Sequence, residues 1–201
     1  MEDTLRAVLD ASVLYPASLR HLLMRLALAR LYQPKWSATI HEEWIRSVVR
    51  DKPHIPLTRL YGLRDAMEKR INDATVTDYE NLIDTLNLPD PNDRHVLAAA
   101  IAGDARLIVT RNLRDFPAEA LAPHKIRAVH PDAFIRELIG QAPAEVIAAV
   151  HDQQRSLKNP PQSLPQLLDL FGRLDLKDTA DVLRVLMLND QPERRDLLKG
   201  S

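Results

Sequence analysis

Along the first 140 residues the apolar positions follow two rhythms: short unbroken runs, and stripes at helical spacing. Ala7-Val8-Leu9 is a run that stops at Asp10, and residues 17–31 then carry leucines at helical spacing, so the chain opens strand, loop, helix. Lys35-Trp36-Ser37 reads as a short strand. Residues 38–50 place Ile40, Trp44, Ile45 and Val48 on one stripe of a helix, and residues 57–71 repeat the helical rhythm. The β-branched stretch 74–77 suggests a further strand and 79–86 a short helix, closed by the breaker Pro89-Asp90-Pro91. A well-started helix spans 90–103: Asp90 suits its cap, Pro91 its first position, Asp93 its first turn and Gly103 its end. Residues 106–110 form a buried strand, 111–115 a polar loop, 117–121 a short helix, 126–129 a strand and 131–140 a helix. Strands that alternate with helices predict an α/β fold with a parallel sheet covered on both faces.

After Gly140 the strand signals stop. Helical patterns at 143–157, 164–174 and 177–188, with a break at 159–163, predict an all-helical tail and a boundary near residue 141. Its charges are close to balanced, which suits a docking module better than a nucleic-acid arm. The 201 residues therefore read as one domain with an appendage. A formal charge of −1 gives no global attraction to polyanions, so any such binding has to come from a local basic face. The absence of cysteine excludes disulfides, thiolate metal sites and cysteine nucleophiles. Five glycines, widely scattered, leave no phosphate-cradling loop. No uncharged stretch approaches the roughly 18 residues a membrane-spanning helix needs, and the acidic N-terminus has no apolar leader, so the expectation is a cytoplasmic protein without membrane attachment.

In an open parallel sheet the chemistry lies beyond the carboxyl ends of the strands. Asp10 ends the first strand, Asp115 and Asn112 occupy the loop after residues 106–110, and Asp93 sits at a helix N-terminus, while Glu43 is carried on a helix behind another strand. Carboxylates gathered in one cleft raise one another's pKa unless a cation neutralises them, and oxygen-only ligation favours Mg²⁺ or Mn²⁺. Such a site suits phosphodiester hydrolysis. Singly, each acid also fits a plainer role: Asp90 and Asp93 as helix caps, Asp10 as a turn residue, Asp115 as a cap of the helix after Pro117. The seven histidines show no HxxxH or HExxH spacing, and His95 beside Asp93 reads as structural. A serine hydrolase lacks its GxSxG elbow, and the paired aspartates of a phosphatase fail because Ser12 follows Asp10 at the required spacing.

The order of motifs is more specific than any one residue. VLDASVL, IHEEW, DPNDRHVLAAAIAGDARLIVTRN and LRDF, in that sequence over residues 5–135, resemble the PIN-domain ribonucleases, above all the VapC-like toxins of bacterial toxin–antitoxin pairs. The resemblance implies a PIN-like parallel β-sheet flanked by α-helices in residues 1–140, with a C-terminal all-helical extension in 141–201. It implies an endoribonuclease whose catalytic acids are Asp10, Glu43, Asp93 and Asp115, with Asp10, Asp93 and Asp115 as ligands of Mg²⁺ or Mn²⁺. Ser12 and Thr110 match small hydroxyl residues that line the family's site. Many members carry Asp where this chain has Asn112, so Asp115 is taken as the fourth acid, and Glu43 is preferred to Glu42 by its place before Trp44.

Arg111 and Arg114 flank the acidic loop and, with Asn112, are candidate substrate contacts. Residues 44–70 hold seven basic residues (Arg46, Arg50, Lys52, Arg59, Arg64, Lys69, Arg70) against three acidic ones (Asp51, Asp65, Glu68), a balance of 7 − 3 = +4 that suits an RNA backbone. Trp36, Trp44, Tyr61 and His54 are candidates for stacking an unpaired base. The resemblance further implies a VapB-like antitoxin, which would lay an apolar helix in a groove and put a basic side chain among the carboxylates, and a homodimer. The alternative is a PIN-like module that binds RNA or protein without turnover, its acidic cleft weakened at Asn112.

Overall fold

The computed structural model describes residues 4–189, and the chain divides into two compact units at the Pro131–Asp132 bond. The first holds four strands among the described residues, β1 (Arg6–Leu9), β2 (Gln33–Lys35), β3 (Leu107–Val109) and β4 (Arg127–Val129), in the order β2-β1-β3-β4 with every pairing parallel. Ala7 lies opposite both Pro34 and Leu107, and Leu107 opposite Arg127. Ala7, Val8, Leu9, Ile108 and Val109 are wholly buried, as expected of central strands covered on both faces.

The helices of this unit are α1 (Ala11–Leu14), α2 (Ala17–Leu28), α3 (Ala38–Asp51), α4 (Leu57–Arg70), α5 (Glu80–Ile83), α6 (Arg94–Ala102) and α7 (Ala118–Leu121). The stripe read from the sequence buries α3 through Ile40, Trp44, Ile45 and Val48, and Ser37 starts that helix by accepting the Ile40 N–H at 3.2 Å. Arg20 of α2 is almost fully buried. Its guanidinium lies 4.6 Å from the centre of the Trp44 ring and donates to the Leu14 carbonyl, so one cation joins α1, α2 and α3. Burial lowers its pKa only to about 10, which leaves it charged. His41 stays neutral: burial pushes it down to about 4, and its Nδ1 accepts the Trp44 indole N–H at 2.9 Å.

Four expectations shift in register, each for a local reason. Helix α2 ends at Leu28 and not at Leu31 because Arg30 takes the left-handed conformation, φ 61°. β2 lies two residues earlier than expected, since Trp36 turns its N–H and C=O to Ala74 and Val76 at 3.0 and 2.8 Å. The strand expected at 74–77 is accordingly a single bridge, Thr75 to Trp36. The helix expected from Asp90 opens as a 3₁₀ turn, Pro91–Asp93, with the Asp90 carboxylate accepting the Asn92 N–H at 2.8 Å. Gly103 ends α6 where a Cβ would stand 2.9 Å from Val76 Cγ2, so close approach of the bridge segment fixes the residue type.

The second unit is all-helical among the described residues: α8 (Pro131–Gln141), α9 (Pro143–Ser156), α10 (Leu164–Arg173) and α11 (Lys177–Asn189). Its core is Phe134, Ile135, Leu138, Val146, Val150, Leu167, Phe171 and Leu183. A capping box starts α10, with Ser163 N–H donating to Gln166 Oε1 at 2.8 Å and Ser163 Oγ accepting in return. The division therefore falls ahead of α8, whereas the strand signals alone suggested a break behind it near residue 141. The reason is Asp132: its carboxylate accepts the N–H groups of Asp178 and Thr179 at 3.1 and 2.8 Å, so α8 caps α11. Arg136 adds an exposed ion pair to Asp178 at 3.1 Å.

Replacing Asp132 by Ala leaves the first-turn donors of α11 unmet and lowers unfolding free energy by about 1–2 kcal/mol. Asp132→Asn, which keeps an acceptor oxygen, loses less than half as much. Urea unfolding of the two variants beside the parent checks the order.

Candidate active site

The site begins where β1 runs out. Asp10 N–H still donates to the Val109 carbonyl at 3.1 Å, while the Asp10 carbonyl accepts from Val13 and Leu14 and starts α1. The backbone thus passes from sheet to helix at this residue, and the carboxylate is left facing the ends of β1 and β3. It is 7% exposed, and its Oδ2 accepts from Ser12 Oγ at 2.5 Å and Thr110 Oγ1 at 2.8 Å. Each hydroxyl is turned by a second bond. Arg111 N–H donates to Ser12 Oγ at 3.1 Å and Asn112 N–H to Thr110 Oγ1 at 3.0 Å, which directs both hydroxyl protons to Asp10. Ser12 and Thr110 therefore hold the acid, Ser12 from the cleft wall and Thr110 from beneath it.

Asp93 ends the 3₁₀ turn before α6. Its pKa is raised to about 7, first by burial, then by the charges of Asp10, Asp115 and Asp90, with a hydrogen bond to Asp115 adding to the shift. Asp115 closes its own 3₁₀ turn (Leu113–Asp115), and its Oδ2 accepts from Asn112 Nδ2. The position that carries an amide is thus tied to the acid three residues on. Glu43 stands on α3, 2.9 Å from His95 Nε2 of α6. Glu42, one residue earlier, is turned to α4, where Tyr61 donates to it at 3.0 Å and Arg64 lies 3.7 Å away.

These groups border an open cleft of about 520 Å³. Asp10, Ser12, Glu43, Asp93, Arg111 and Asn112 line it; Thr110 is buried beneath Asp10, Asp115 reaches it through Asp93, and Arg114 does not line it. Of the basic stretch only Arg46 and Arg50 face the cleft. Arg64 is held by Asp65, and Arg70 lies at a separate groove between α2 and α4. The stacking expectations need correction: Trp36 and Trp44 are 0% exposed, Tyr61 is bonded to Glu42, and neither Tyr61 nor His54 borders the cleft. Four lining residues were not among those expected at the site: Ala11, Tyr15, Ser47 and Asp51. Ser47 was legible, since 43, 46, 47 and 50 share one helical face. Tyr15 was not, because the short α1 that carries it to the cleft has too few residues to show a period.

Carboxylate oxygens are the donors a hard divalent cation takes, and half-buried Asp93 stands within the field of Asp10, Asp115 and Asp90. Asp10, Asp93 and Asp115 fit such an ion chemically. Among the described residues no three His, Asp or Glu side chains already stand in metal-holding geometry.

The raised pKa of Asp93 fixes a pH dependence. Unfolded, the group titrates near 3.8; folded, near 7; the folded state therefore holds more protons between these values, and stability is lost as pH rises through that window. In metal-free protein Asp93→Asn removes this slope. At pH 8 it stabilises by about 1 kcal/mol, the full shift being cut by solvent screening at a half-buried group, and the gain narrows at pH 5. Melting temperatures of parent and variant from pH 5 to 8 in EDTA test it.

Residues 6–114 match the family model described as PIN domain, and residues 131–185 match a second, described as VapC50 C-terminal domain, which starts where α8 does. A curated protein of Mycobacterium tuberculosis (strain ATCC 25618 / H37Rv), named "Putative ribonuclease VapC50", is 38% identical over 94 residues, 47% of this chain and 55% of that protein. The match thus spans about half the length of that relative. No solved structure matches the chain. No helix among the described residues is long and apolar enough to cross a membrane. With more than half of its length on the PIN model and the acids gathered at the carboxyl ends of β1 and β3, the chain belongs to the PIN-domain family.

Proposed function

We propose that this protein is a metal-dependent endoribonuclease, acting in the cytoplasm as the toxin of a toxin–antitoxin pair. The observation that carries the reading is the convergence on Asp93 of the charges of Asp10 and Asp115 at the end of a parallel sheet. A binding module gains nothing from a repulsion that costs it stability, whereas a hydrolase uses it to hold a cation. Likeness to a protein named as a ribonuclease supports the same view.

Asp10, Asp93 and Asp115 would hold Mg²⁺ or Mn²⁺. When bound, the ion lowers the pKa of water and neutralises charge that builds on the phosphodiester. The chain's own residues do the rest. Ser12 and Thr110 keep Asp10 aimed, and Glu43, oriented by His95, takes the proton of the attacking water as the water oxygen bonds to phosphorus and one P–O ester bond breaks, the leaving oxygen taking a proton from solvent. Arg111, Arg114 and Asn112 contact the RNA backbone. A VapB-like antitoxin that sets a basic side chain among the carboxylates would displace ion and substrate together, and two PIN units would pair as a homodimer.

Purified protein, free of partner, cuts mixed cellular RNA with Mg²⁺ or Mn²⁺ and not in EDTA; Asp10→Asn and Asp93→Asn each lower the rate at least about 100-fold. Independently of activity, Mn²⁺ at pH 8 raises the melting temperature of the parent and not that of Asp10→Asn. RNA binding without cutting by folded, Mn²⁺-stabilised protein would favour the non-catalytic module.

A further inference from the structure

We propose that Tyr15 is the stacking platform for the nucleobase beside the scissile phosphate, so that the cleft selects unpaired RNA. The inference rests on the ribonuclease reading above and names how that site chooses its substrate. Tyr15 is the aromatic side chain among the residues that border the cleft, five positions beyond Asp10 and on the same wall. Tyr15 is partly exposed and held in place: the hydroxyl donates to Asp51 Oδ2 at 3.0 Å, and Lys52 Nζ lies 5.3 Å from the ring centre. Asp51 in turn accepts from Arg50 Nε at 2.8 Å, so the ring is coupled to a cation that faces the same cleft.

The cations are spaced for a strand. Arg46 and Arg50 are one helical turn apart on α3, and both are exposed. Arg46 has no carboxylate partner among the described residues, and Arg111 stands on the β3 side of the cleft. A backbone that follows Arg46 and Arg50 toward Asp10 and Asp93 carries its bases along the α1 side, and Tyr15 is the aromatic face available there. A base still paired in a duplex has both faces occupied by its neighbours and cannot use it. With Trp36 and Trp44 enclosed in the core, aromatic recognition in this cleft falls to Tyr15.

The test uses the full chain in EDTA, so that RNA is bound and not cut, with a single-stranded 12-nucleotide RNA carrying 2-aminopurine and the same strand in a duplex. The parent quenches 2-aminopurine emission and prefers the single strand. Tyr15→Leu weakens single-strand binding about 10–100-fold, loses the quench and loses most of the preference over duplex, whereas Tyr15→Phe restores the quench. Circular dichroism and melting temperature of both variants establish that they are folded. A folded Tyr15→Leu that keeps the quench and the preference overturns the proposal, and if the parent still cuts RNA with Mn²⁺ the nuclease reading stands without it. A parent that neither binds nor cuts RNA overturns both.

Discussion

Repulsion between carboxylates is the constraint around which the first unit is built. Burial and the charges of Asp10, Asp115 and Asp90 bear together on Asp93 at the end of the sheet. Asp10 receives two hydroxyl donors whose own lone pairs are engaged by backbone N–H groups of the loop after β3. Asp93 has no such pair of hydroxyls, and burial together with the neighbouring charges raises its pKa to about 7.

Helix α3 separates two jobs that adjacent residues perform. Glu43 looks into the cleft, with Arg46, Ser47 and Arg50 on its face, while Glu42 is rotated by 100° per residue onto α4 and ties that helix down through Tyr61 and Arg64. The buried stripe of Ile40, Trp44, Ile45 and Val48 fixes this rotation, so the packing of the core decides which glutamate faces the cleft. His95 completes the arrangement from α6. A residue read from its neighbourhood in sequence as structural thus touches a candidate catalytic group that lies 52 positions away.

Much of this was legible before coordinates. Continuous apolar runs at β1 and β3 announced strands buried on both faces, and the order of acids after them located the cleft. What escaped were facts that depend on tertiary partners. Tryptophans on an amphipathic stripe look alike to the eye whether they meet RNA or a core, and the cation of Arg20 packed over Trp44 settles the matter for that ring. The boundary before α8 could not be read from strand signals, because the bond that binds α8 to α11 joins residues 46 and 47 apart. Tyr15 came into the cleft through a one-turn helix, too short to leave a period.

The sheet also bears on association between copies. Both edge strands are three residues long, and on β2 the central position is Pro34, which has no N–H to offer a neighbour, while Trp36, just past the strand, is already bridged to Thr75. The β2 edge is thus poorly suited to template another strand, which guards a sheet with continuously apolar β1 and β3 on that side. A sheet that ends in this way is closed to growth by strand addition on its β2 side, so its size is set within one chain.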